Sequence, residues 1–260
     1  MNVVKEHMRI WSLYWLAGAV LLIIVILGAW GIKMAVDTAA VGRAVQQDTA
    51  LKGSVGSGTV EKSREKRAGA LILPFATVAE FNLTLYLPAP YKNIRGIGYH
   101  ESSHTRAYSM TPIGQLLKND NAWDLDVELN GTAPLPTYNI METRGEYAYG
   151  TTVADIAMDP ETPVRAPVSG TVLKIESKVI YDEYEDRQIE VVPDGLPDVR
   201  VVFLHIDNIK IKPGDHLTQG KTIMGIPHDW RPYFASEIDD YIKPSMPHVH
   251  VQVNRPEPPQ

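Results

Sequence analysis

With 260 residues the chain has room for a membrane segment plus one or two modest domains. Its net charge of −6 supplies no basic field to draw in nucleic acid, and the lack of cysteine excludes a disulfide framework and thiol chemistry. With 19 glycines and 19 prolines, the composition suits a turn-rich β protein better than a helical one.

Residues 10–32 are apolar, aromatic or small except for Ser12, a run long enough for the roughly 20 residues of a membrane-spanning helix. Trp11, Tyr14 and Trp15 at one end and Trp30 at the other sit where interfacial aromatics belong. A cleaved signal peptide is the competing reading, but its apolar core is usually about 7–15 residues. Lys5 and Arg9 favour a cytoplasmic N-terminus over residues 1–9. The expectation is a signal anchor at 10–32 in the cell membrane, single-pass, with the C-terminal bulk of the chain outside. Residues 33–69 carry few large apolar side chains and a polar run from Lys52 to Arg67, which reads as a flexible stalk.

A β-rich accessory region is expected over 70–145. Phe81, Leu83, Leu85 and Leu87 alternate as in a strand and stop at Pro88. His100-Glu101-Ser102-Ser103-His104 formally matches the helical zinc signature H-E-x-x-H. Gly96 and Gly98 before it and Pro112 after it deny it the long helix such a site needs. His100 and His104 therefore read as loop residues or as contributors to a site elsewhere.

Residues 146–260 form the second expected domain. Short strands are predicted around Val153–Ala157, after the Ser169-Gly170 turn, over Arg200–Asp207 and around the Pro213-Gly214 turn. Tyr181–Arg187 reads as an exposed, charged hairpin tip, and His216 and His228 as solvated turn residues. Asp207, two residues beyond His205, is one candidate to orient that imidazole and equally an exposed strand-end aspartate. The last strand, from Pro247 to Val253, puts His248 and His250 on one face and Val249, Val251 and Val253 on the other. Two imidazoles side by side suit a metal or proton-transfer site.

Taken in order, Asp155, the run Thr162–Val172, Leu204-His205, Lys212–Gly220 and His248-Val249-His250 resemble the lysostaphin/LytM-type zinc endopeptidases. The similarity spans about residues 147–254. It implies a mainly β domain of the barrel-sandwich hybrid (duplicated hybrid motif) type, and cleavage of peptide in bacterial cell-wall peptidoglycan. It also implies Asp155 and His250 as metal ligands, with His205 and His248 assisting the zinc-bound water and the transition state. One position departs from the family pattern: Thr151 stands where the first metal-binding histidine belongs, and Val153 where a glycine does.

Catalytic zinc normally takes three protein ligands, so three readings stay open. A third ligand arrives from elsewhere, with His100 or His104 the candidates. The metal site is rebuilt with Glu146 or Tyr149. Or the domain is a degenerate, non-catalytic module that binds the wall or regulates a partner wall hydrolase. A membrane-fusion adaptor shares the Ala166-Pro167-x-x-Gly170 strand start, but residues 176–210 lack the heptads its helical hairpin requires.

Overall fold

The structure is a computed structural model, and it describes residues 71–103, 106–121, 135–143, 145 and 150–257. The expected anchor at 10–32 and stalk at 33–69 lie outside the described residues. Among the described residues no helix is long and apolar enough to cross a membrane.

The described chain is mainly β, as composition and turn spacing suggest. Its strands are β1 (Pro74–Val78), β2 (Leu83–Tyr86), β3 (Ile94–His100), β4 (Thr111–Pro112), β5 (Gln115–Asn119), β6 (Thr137–Ile140), β7 (Val153–Met158), β8 (Val164–Arg165), β9 (Gly170–Ile180), β10 (Tyr184–Pro193), β11 (Arg200–Leu204), β12 (Ile206–Asp207), β13 (His216–Leu217), β14 (Ile223–Pro227) and β15 (His248–Asn254). Nine of them make one sheet in the order β13-β9-β10-β11-β15-β7-β3-β6-β5, and β2-β1-β4 and β12-β14-β8 make two small sheets. The strands from 70–145 and those from 146–260 thus share the large sheet.

The large sheet has two unlike faces because side chains alternate along each strand. Ala154, Ile156 and Met158 of β7, Val249, Val251 and Val253 of β15, and Ile189 and Val191 of β10 all enter the main core. Phe75, Leu85, Val164 and Met224 from the small sheets close over them. The opposite face carries Asp155 of β7, His248, His250 and Gln252 of β15, and Asp186 of β10. A satellite cluster of Met141, Ala157, Ile238 and Ile242 covers one end of that face.

Two elements differ from the sequence expectation. The stretch Arg200–Asp207 is not one strand: it breaks at His205, whose φ is 64°, between β11 and β12. A non-glycine residue in the left-handed region costs roughly 1–2 kcal/mol, so contacts around His205 must hold it there. The segment ending at His100 is the strand β3, where the sequence reading placed His100 in a loop; the helix that the H-E-x-x-H spacing formally asks for is not formed up to His100.

Candidate metal centre

The pairing register assembles the centre. On β15 His250 lies opposite Asp155 of β7, and on the other side of β7 Gly98 of β3 lies opposite the same aspartate. His100, two residues beyond Gly98, shares its face and leans in diagonally, within the reach of a long side chain. One potential ligand atom each from His100, Asp155 and His250 falls within 4.8 Å of the others. His100 Nε2 faces Asp155 Oδ2 at 3.2 Å, and His250 Nδ1 faces Asp155 Oδ1 at 3.0 Å. His100 is therefore neither a solvated loop residue nor part of a helical site; it is buried beside the aspartate.

Backbone and side-chain neighbours fix which nitrogen each imidazole turns inward. His100 Nδ1 lies 2.8 Å from the Glu101 carbonyl oxygen, which only accepts, so this nitrogen carries a proton. His250 Nε2 lies 3.2 Å from Gln252 Oε1, and as donor there it leaves Nδ1 turned on Asp155. Gln252 also accepts from Ser102 Oγ at 3.3 Å and donates through Nε2 to Asn254 Oδ1 at 2.8 Å. His100 Nε2 is buried without a well-directed hydrogen bond. An imidazole lone pair and a carboxylate oxygen at such separations repel unless a proton or a cation lies between them. Two nitrogens and a carboxylate are a donor set suited to zinc, so these residues fit the metal that the sequence resemblance implies.

His248 and His205 stand next to this trio. His248 Nε2 is 3.8 Å from Asp155 Oδ2, and the His205 ring centroid is 4.9 Å from that of His248 and 5.8 Å from that of His250. Burial pushes the Asp155 carboxyl upward, but the charges of His100 and His248 and the contact with His250 outweigh it and hold it well below the usual carboxylate range. Burial pushes His248 down to about 4, against the pull of Asp155, so its imidazole is neutral at pH 7. Burial likewise lowers His250.

A cleft of about 250 Å³ opens over the centre, bounded by His100, Asp155, His205, His250, Tyr181 and Phe234. Its aromatic wall joins two elements distant in sequence. Tyr181, at the turn between β9 and β10, meets Phe234 edge-on at 5.1 Å, and Phe234 stacks on Trp230 at 5.2 Å. Trp230 in turn lies 5.8 Å from His205 and 3.9 Å from His228.

Several residues differ from their sequence reading. Asp207 does not orient His205; it pairs with His228 Nδ1 at 2.9 Å, on a strand end beyond the break at His205. That pair and the stack on Trp230 mean that His228 is not simply solvated, whereas His216 is exposed and faces Asp194 at 3.1 Å. The residue against His205 is Asp186, hidden within the charged stretch read as a hairpin tip. His104, Glu146 and Tyr149 lie outside the described residues. Gln252 carried a signal, since it falls two residues past His250 on the same strand face. Asp186 carried a weaker one: Asp186, Gln188 and Glu190 alternate with Ile189 and Val191.

No protein-family profile matches the chain, and no curated protein does. Among solved structures it is similar to lysostaphin, at 22% identity over 42% of this chain and 38% of that one, with a TM-score of 0.31. It is similar to LytU at 19% identity, over 45% of this chain and 69% of that one, with a TM-score of 0.32. It is also similar to the catalytic domain of a mutant of the prophage-encoded M23 protein EnpA from Enterococcus faecalis. There the identity is 22%, the coverage 44% of this chain and 75% of that one, and the TM-score 0.29. The match spans well under half of lysostaphin's own length.

Proposed function

We propose that the chain is a membrane-anchored, outward-facing zinc endopeptidase of the lysostaphin type, with a duplicated-hybrid β domain that acts on peptide in bacterial cell-wall peptidoglycan. The observation that carries this reading is His100. It reaches from a neighbouring strand into the space beside Asp155 and His250 and completes a three-residue ligand set that residues 151–155 alone lack. That completeness favours an enzyme over a degenerate, wall-binding or hydrolase-regulating module.

His100 through Nε2, Asp155 through its carboxylate and His250 through Nδ1 would hold the metal. Bound there, zinc supplies a Lewis acid and makes water acidic enough to attack near neutral pH. The chain's own groups handle the remaining protons. His205 receives the proton from the attacking water and passes it to the amine nitrogen as the C–N bond breaks. His248, neutral, donates a hydrogen bond toward the oxygen of the attacked carbonyl, where negative charge develops. The aromatic wall excludes water from one side of the cleft and strengthens these contacts.

The deciding experiment is zinc stoichiometry of the purified full chain after exhaustive dialysis, together with release of soluble peptide from peptidoglycan. Expected is close to one zinc per chain, lost together with hydrolysis in both His100→Ala and His250→Ala. A parent chain free of zinc would refute the reading and leave a non-catalytic module. Full zinc retention in His100→Ala would remove His100 from the ligand set.

A further inference from the structure

His205 is gripped from one side by a single carboxylate. Asp186 Oδ2 accepts from the ring at Nδ1, 2.7 Å away, and from the His205 backbone N–H at 3.1 Å. The other oxygen, Oδ1, accepts the Arg187 N–H at 2.7 Å. The Asp186 side chain is 2% exposed, deep for a residue flanked by Glu185 and Arg187. Its burial pushes the carboxyl up, yet the bonds and charge of His205 outweigh this and keep it below the usual carboxylate range, hence ionised.

We propose that Asp186 is the positioning residue for His205, fixing its Nδ1–H tautomer and ring orientation so that Nε2 is the lone pair available for proton transfer. The inference rests on the endopeptidase reading for its catalytic consequence, but not for its structural content. A carboxylate serves here where an amide would not. The amide introduced by Asp186→Asn could turn its NH2 toward the ring and stabilise the opposite tautomer, with Nε2 protonated and useless as a base.

The test uses the full zinc-loaded chain labelled with 15N-histidine, the His205 signals being identified by their loss in His205→Gln. In the parent, His205 is expected to carry its proton on Nδ1. In Asp186→Asn the proton is expected to move to Nε2, and kcat on soluble peptidoglycan peptides should fall roughly 10²–10⁴-fold, with KM and zinc content nearly unchanged. Asp186→Glu, which keeps a carboxylate, should recover the tautomer and part of kcat. An Nε2-protonated His205 in the parent overturns the proposal, even if Asp186→Asn fails to fold. So does an unchanged tautomer in that variant, or a loss of zinc that tracks the loss of kcat. A parent that shows the Nδ1 tautomer and its switch but hydrolyses nothing keeps the Asp186 assignment and defeats the endopeptidase reading.

Discussion

Gln252 does for His250 what the Glu101 carbonyl does for His100: it takes up the outward N–H and leaves the other nitrogen on Asp155. Replacing it by leucine keeps the volume but removes the acceptor, so His250 loses its preferred tautomer. The expected result for Gln252→Leu is a roughly 10–100-fold weaker zinc affinity by chelator competition, with Gln252→Glu close to the parent. Equal affinity in all three would show that the strand alone orients the ring. At this scale much of the site was readable. Asp155, His205, His248 and His250 follow from ordered motifs, and the face shared by His248 and His250 follows from strand alternation alone. His100 was readable only as one of several candidates. Its relation to Asp155 is a diagonal across two strands far apart in sequence, which no local period encodes. Asp186 was masked by its neighbours: Glu183, Glu185 and Arg187 give the segment the look of a solvated tip while one carboxylate in it turns inward.

Strand β3 carries His100, the proposed third ligand, and its glycines let it lie flat against the covering cluster. A Cβ added at Gly98 would come within 2.6 Å of Met141 Sδ, and Met141 is fully buried. Gly98→Ala should therefore destabilise the chain by roughly 1–3 kcal/mol and, by displacing β3 at the residue facing Asp155, weaken zinc binding as well. Met141→Ala in the same chain clears that space at the cost of a cavity, so the double variant should be destabilised by less than the sum of the two singles in chemical denaturation. Strict additivity would mean that the two residues do not crowd each other. At the element scale a local signal counts only in its context. The spacing His100-x-x-x-His104 belongs to a helix, but a segment with Gly96 and Gly98 in a sheet centre cannot supply one. Conversely, the run to Asp207 reads as an unbroken strand because nothing in Val-Val-Phe-Leu-His-Ile marks the left-handed turn at His205.

The molecule joins its core to its site through the alternation of single strands, and β3 makes the coupling explicit. His100 faces the metal centre, while the preceding Tyr99 is fully buried on the core side, its hydroxyl donating to the Phe75 carbonyl at 2.7 Å and its ring edge-on to Tyr138 at 5.5 Å. Burial first, and then the charge Tyr138 would carry, push the Tyr99 phenol well above its ordinary value of 10.0, and burial raises Tyr138 too. Because the folded values lie above the unfolded ones, the unfolded chain gives up these protons first as pH rises. The stabilisation is complete below about pH 10 and is lost progressively above it, as the pH climbs toward the folded values. Ionising Tyr99 places a charge within the core at the strand that presents His100, so unfolding and loss of the ligand geometry should be one event. In an alkaline titration of the zinc-loaded full chain, metal release, the fluorescence transition and the late rise of tyrosinate absorbance should coincide above about pH 10. Tyr99→Phe removes one titrating group while Phe75 O keeps its bond from the Ile113 N–H, so the decline should become shallower at a cost of about 1 kcal/mol at neutral pH. Zinc release well before the fluorescence change would mean that the metal centre opens without the core, and that the two faces of the sheet are held together less tightly than one shared strand requires.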